Sequence, residues 1–302
     1  MQTIKQLFFG LCIFGNLTAF GQVDRPKASP YTVQGTYEHL KKNHSFIKPL
    51  DLPKPTTIGS DENIVYSTID TLSLKADIYY PINKKEKSAA VVLVHGGGWI
   101  SGSKENQRYM AQQLAANGYV AMTINYRLAD VAKYPGAITD IENAVKYLKN
   151  NKKKYNINTS KTVVLGASAG AQLATLVGVK KENKIAAIIN VDGITSFIHP
   201  EAEEGQYAAY WLGSWKKDNP DVWKQASPLE YVGKHTPPTL FINSSQPRFH
   251  AGRDQMISIL NEHKIYSEVH EIKDSPHSFW LVQPWFDETL SITVNFLDKL
   301  FK

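Results

Sequence analysis

Two short stretches hold the residues whose types and spacing carry chemistry: His95-Gly96-Gly97-Gly98-Trp99 and Gly166-Ala167-Ser168-Ala169-Gly170. A serine hydroxyl is a weak nucleophile at neutral pH. It needs a base to take its proton and fixed N–H donors to meet the negative charge its attack creates on a carbonyl oxygen. Gly166 and Gly170 permit a sharp strand-to-helix turn, and Ala167 and Ala169 are too small to fill the site. Ser168 is therefore the expected nucleophile and the Ala169 N–H one oxyanion donor. The glycines after His95 let the backbone approach a substrate with its amides turned inward. Gly97 and Gly98 are the expected remaining donors, with Trp99 beside them as a candidate substrate contact.

Each motif follows an apolar run that reads as a buried strand, at 89–94 and 162–165. Further strand-like runs fall at 64–69, 74–80, 120–125, 185–191, 239–243 and 268–272. Helical patterns lie near 105–116, 137–148, 169–179, 253–262 and 288–300. Alternation of this kind predicts an α/β fold with a mostly parallel eight-stranded sheet covered by helices on both faces. The two glycine motifs, with Asn125-Tyr126-Arg127-Leu128, Tyr134-Pro135-Gly136-Ala137 and Asp140, resemble those of the α/β-hydrolase carboxylesterases, in the hormone-sensitive-lipase-like and bacterial polysaccharide (acetyl/feruloyl) esterase group. The resemblance runs from about residue 63 to the C-terminus. It implies the α/β-hydrolase fold, ester chemistry and a small cap insertion.

Segment 194–235 fits that cap, since it is too long for a plain loop and holds Tyr207, Tyr210, Trp211, Trp215 and Trp223. Its aromatics, Trp211 among them, either stack on a sugar or an aromatic acid or pack the cap onto the body. Trp280, near Phe279 and Trp285, has the same two readings: a wall of the acyl pocket or core packing.

In this fold the triad runs in the order serine, acid, histidine, with the histidine after the last strand. His277 has that placement and is the expected general base and then acid. The acid is harder to place. The family's usual position follows the strand at 239–243, where this chain has Ser244-Ser245-Gln246-Pro247-Arg248 and no carboxylate. Asp192, directly after the apolar run 185–191, is the first candidate, because it would sit at the sheet edge beside the strand of Ser168. Asp254 is the alternative, although its neighbour Arg253 and a helix start would explain it without catalysis.

The chain has 302 residues and is 42% hydrophobic, enough for one large core. Residues 1–21 carry Lys5, an apolar stretch and small residues at Ala19 and Gly21, which predicts a cleavable secretory signal and a periplasmic or secreted protein. The expected organisation is signal 1–21, an extended proline-rich arm 22–58, and a catalytic domain 59–302 with the cap at about 194–235. The single cysteine, Cys12, lies inside the signal, so neither a disulfide nor a cysteine metal site is expected in the mature protein. His-Glu-x-x-His is absent, and the chemistry requires no metal or cofactor. A net charge of +6 reads either as general solubility or as attraction to acidic substrates such as pectin. The run Lys152-Lys153-Lys154 reads as a solvated loop, so no nucleic-acid partner and no stable membrane insertion are expected.

The sequence thus points to an exported serine esterase acting on small acyl esters, with acetyl groups on plant-type polysaccharides or oligosaccharides as the expected substrate. Two alternatives remain: a peptidase or amidase of the same fold, and a non-catalytic binding protein on an inactive hydrolase scaffold. Oligomeric state is not legible in the sequence.

Overall fold

Eight strands form one sheet in the computed structural model, which describes residues 23–302; the signal reading for 1–21 lies outside the described residues. The strands are β1 (Ile58–Ile69), β2 (Leu72–Pro81), β3 (Ser88–Val94), β4 (Val120–Ile124), β5 (Ile157–Ala167), β6 (Ala187–Val191), β7 (Thr239–Asn243) and β8 (Ser267–Glu271). Their spatial order is β1-β2-β4-β3-β5-β6-β7-β8. β2 pairs antiparallel with both neighbours, and β4 through β8 with β3 are parallel throughout. The expected mostly parallel eight-stranded sheet and α/β-hydrolase fold are borne out.

The parallel strands are apolar on both faces because helices cover both. Along β3, Ala90, Val92 and Val94 belong to one core, and Val91 and Leu93 to the other. The first core is closed by α3 (Gly136–Asn150), α4 (Ala169–Val179) and α7 (Arg253–Glu262), through Ile141, Leu173 and Leu260 among others. The second is closed by α2 (Arg108–Ala116) and α8 (Trp285–Phe301), through Leu114 and Phe296. Every residue of α4 is buried, which fixes the element whose first residue follows Ser168. No helix among the described residues is long and apolar enough to cross a membrane.

The proline-rich arm departs from the extended form expected for it. Val33–Leu40 is a helix, α1, begun by the Thr32 side chain accepting from the Gly35 amide at 2.9 Å. Lys48–Pro49 then pairs antiparallel with Val282–Gln283. Only Leu40 of α1 is buried, so the sequence carried no apolar periodicity to announce it. The cap region holds two short helices, α5 (Gln206–Leu212) and α6 (Pro220–Gln225). The arm is tied to it, the Tyr207 hydroxyl donating to the Lys27 carbonyl at 2.8 Å, and to the segment after β4, where Arg25 grips Asp130 with two nitrogens.

Candidate active site

Ser168 sits between β5 and α4 with φ +56° and ψ −124°, a strained conformation for a non-glycine residue that lifts the side chain out of both elements. The turn is held because the Ser168 amide donates to the Val191 carbonyl at 2.8 Å, and the Ser168 carbonyl accepts from Ala171 at 2.9 Å. Gly170 is required by close approach: a Cβ there would lie 2.3 Å from the Val94 carbonyl oxygen. The helix can therefore press onto the end of β3 only if this residue lacks a side chain.

Three side chains that follow three strands of the sheet, β5, β6 and β8, form one line. His277 Nδ1 lies 2.7 Å from Asp192 Oδ2, and His277 Nε2 lies 2.8 Å from Ser168 Oγ. A carboxylate only accepts, so Nδ1 carries the proton and Nε2 is left to accept from the serine hydroxyl. Asp192 is fully buried and follows β6 directly. Its backbone amide donates to Ile242, and its Oδ1 accepts from the Ser244 amide at 2.9 Å. Ser244 occupies the place after β7 where the carboxylate was missing from the sequence, and contributes an N–H to the acid instead. Asp254 stands apart, with its side chain 80% exposed and paired to Arg253. The structure thus brings Asp192, and not Asp254, to Ser168 and His277.

A second histidine lies near the acid. His250 Nε2 is 4.0 Å from Asp192 Oδ1 and donates to the Ser244 carbonyl at 3.1 Å. Burial, with Arg253 nearby, pushes its pKa down. That disfavours a second positive charge beside Asp192.

Gly97 and Gly98 line the same cavity as Ser168 and Ala169, a space of about 540 Å³. Gly97 has φ +118°, and a Cβ would lie 2.2 Å from the Ser101 carbonyl oxygen, so only glycine fits. Among the described residues no protein acceptor takes the amides of Gly97 or Gly98. The start of α4 lies at the same cavity, where Ala169 follows Ser168 directly and lines the space with it.

His95 supports this loop from beneath. It is buried, its Nδ1 bonds the Gly96 carbonyl at 2.7 Å, and its ring stacks on Tyr126 at 4.3 Å. Burial pushes its pKa down from 6.5 to about 4. The folded value lies below the unfolded one, so the stability this group contributes is complete above pH 6.5 and is lost as pH falls toward 4, where the unfolded chain takes up a proton the folded chain refuses. The midpoint of urea unfolding is expected to drop across that window in the parent protein and to be flatter in His95→Gln.

The tryptophans divide differently from expectation. Trp99 lines the cavity, and its indole N–H donates to Gln172 Oε1 at 3.1 Å; Gln172 also donates to the Ala226 carbonyl, tying loop, α4 and cap together. Trp211 is not a substrate contact. It is fully buried behind Trp99, ring on ring at 5.1 Å and 8°, because the apolar face of α5 must be covered. Trp280 is likewise buried and sets its ring edge-on to His277 at 5.2 Å, where it orients the imidazole instead of the substrate. Tyr31, Glu203, Arg248 and Phe249 also line the cavity and belong to no motif that marks them in the sequence. Phe249 stacks flat on His277 at 3.6 Å, and the Tyr31 hydroxyl lies 3.1 Å from Ser278 Oγ. Only the cap residue Tyr207 of this rim was singled out by its composition.

The chain is 22% identical to the putative alpha/beta hydrolase R526 of Acanthamoeba polyphaga mimivirus, over 92% of this chain and 86% of that protein. It is 26% identical to Esterase LipC of Mycobacterium tuberculosis, over 56% of this chain and 47% of LipC, so it spans about half the length of that relative. Among solved structures, a truncated carbohydrate esterase from gut microbiota superposes with a TM-score of 0.68 at 20% identity, covering 82% of this chain and 98% of that one. The BD-FAE family model matches residues 76–266, the span from within β2 to the residue before β8 that holds Gly97, Gly98, Ser168 and Asp192. More than half of the chain lies within that match, and the chain belongs to the BD-FAE family, an α/β-hydrolase of the carboxylesterase kind.

Proposed function

We propose that this protein is an exported serine esterase that removes acetyl or other small acyl groups from plant-type polysaccharides or their oligomers, through an acyl-enzyme. The observation that carries the reading is the unbroken hydrogen-bonded line from Asp192 through His277 to Ser168, opening on a cavity lined by Gly97, Gly98 and Ala169. Ser168 Oγ attacks the ester carbonyl while its proton passes to His277 Nε2. The imidazolium so formed is held by Asp192, and the oxyanion is met by the three amides. His277 then gives the proton to the departing alcohol oxygen. Water, deprotonated by the same nitrogen, attacks the acyl-Ser168 carbonyl; the bond to Oγ breaks, His277 returns the proton to Oγ, and the acid leaves. The carbohydrate esterase among the structural relatives supports a sugar-linked alcohol, and the apolar run near the N-terminus supports export.

A fluorophosphonate probe is expected to label the protein covalently, with labelling abolished in Ser168→Ala. An unlabelled parent protein would favour a binding role on the hydrolase scaffold. Acetate, methanol and hydroxycinnamate release from a panel of xylans and pectins then identifies the acyl group, and a predominance of anything but acetate overturns that part of the reading.

A further inference from the structure

The chain contains five arginines, and four of them are paired with carboxylates: Arg25 with Asp130, Arg108 with Glu105, Arg127 with Asp140 and Arg253 with Asp254. The fifth, Arg248, is exposed, has no acidic partner among the described residues, and lines the cavity of Ser168 and His277. Its position is built. Pro247–Phe249 forms a single tight helical turn after β7, and the Arg248 guanidinium rests over the Phe249 ring at 4.6 Å. That ring in turn lies flat on the imidazole of His277 at 3.6 Å. A guanidinium stacked on an aromatic face loses less freedom when it binds, and its planar fork of N–H donors matches a carboxylate.

The same cavity is lined by Glu203, an exposed carboxylate without an ion-pair partner among the described residues. It accepts hydrogen bonds from hydroxyls and repels a multiply charged anion such as phosphate. A sugar that carries one carboxylate among several hydroxyls satisfies both groups at once. A neutral sugar leaves the Arg248 fork facing water.

We infer that Arg248 forms a subsite for a carboxylate borne by the ester substrate. This rests on the esterase reading above and narrows its substrate class to acidic esters. The carboxylate has two possible sources: the alcohol side, as a uronosyl residue, or the acyl side, as the half-ester of a diacid.

The test compares kcat/KM within two substrate pairs for the full chain and for Arg248→Gln and Arg248→Lys. The first pair is acetylated galacturonan and acetylated xylan oligosaccharides; the second is nitrophenyl hemisuccinate and nitrophenyl butyrate. The expected result is a preference for the charged member of one pair that falls about tenfold in Arg248→Gln and is partly kept in Arg248→Lys. The pair that responds identifies the source. Cleavage with no charge preference in either pair, or a preference that survives Arg248→Gln, overturns the subsite and leaves the esterase reading standing. No cleavage of any of the four esters, with no fluorophosphonate labelling, overturns both.

Discussion

Replacing Asp192 with asparagine is expected to lower kcat on an activated acetate ester by about 10²–10⁴-fold, with thermal unfolding close to that of the parent protein. The asparagine oxygen can still accept from the Ser244 amide, which preserves the buried packing at the end of β6. The other end of the side chain then presents an NH₂ group to His277 Nδ1. The imidazole must turn its lone pair toward that donor and its proton toward Ser168, the tautomer that cannot take a proton from the hydroxyl. Asp254→Asn is expected to stay within about twofold of the parent, because that carboxylate is exposed and its partner is Arg253. A collapse in Asp254→Asn, with Asp192→Asn active, would reverse the assignment of the acid.

The second large effect is on stability. Lys104 and Asp77 form an ion pair of 2.7 Å with both side chains almost completely buried, and Asp77 Oδ1 also accepts from the Asn63 amide. Lys104→Met strands a buried carboxylate in the middle of β2 and is expected to cost about 3–5 kcal/mol in urea unfolding. Adding Asp77→Asn removes the stranded charge while keeping an acceptor for Asn63, so the double variant is expected to recover most of the loss. A single variant as stable as the parent would show that the pair is not needed. The Lys104 amide donates to Asn125 Oδ1 and its carbonyl accepts from Thr123 Oγ1, backbone bonds that methionine keeps, so the loss is expected in stability before activity. These bonds anchor the far end of the loop that begins at His95.

How much of this was legible in the sequence depended on which physical signal each part leaves. The parallel strands announce themselves because burial on both faces demands continuous apolar runs, as in Ala89–Val94 of β3. α4 and α8 follow from periodicity and from the turn chemistry around Ser168. α1 left no such trace, since seven of its eight residues face solvent or lie half-buried and its start is set by one threonine hydroxyl. The tryptophans were legible as aromatic and illegible as to side: nothing in the composition of segment 194–235 tells that Trp211 faces Trp99 instead of the cavity. Phe249 and Arg248 reach the site only because a single helical turn after β7 folds back over His277, and a three-residue turn carries no periodic signature.

Asp192 lies on the strand next to that of Ser168, and the Ser168 amide is bonded to Val191, the residue just before the acid. Nucleophile and acid are thus locked by the register of two adjacent parallel strands, and the loop after β7 holds the acid through a backbone amide that any residue but proline supplies, while its Phe249 ring lies on His277. Side chains at 245–248 are thereby released from holding the acid. Changes of substrate preference can accumulate there by substitution without passing through an inactive intermediate.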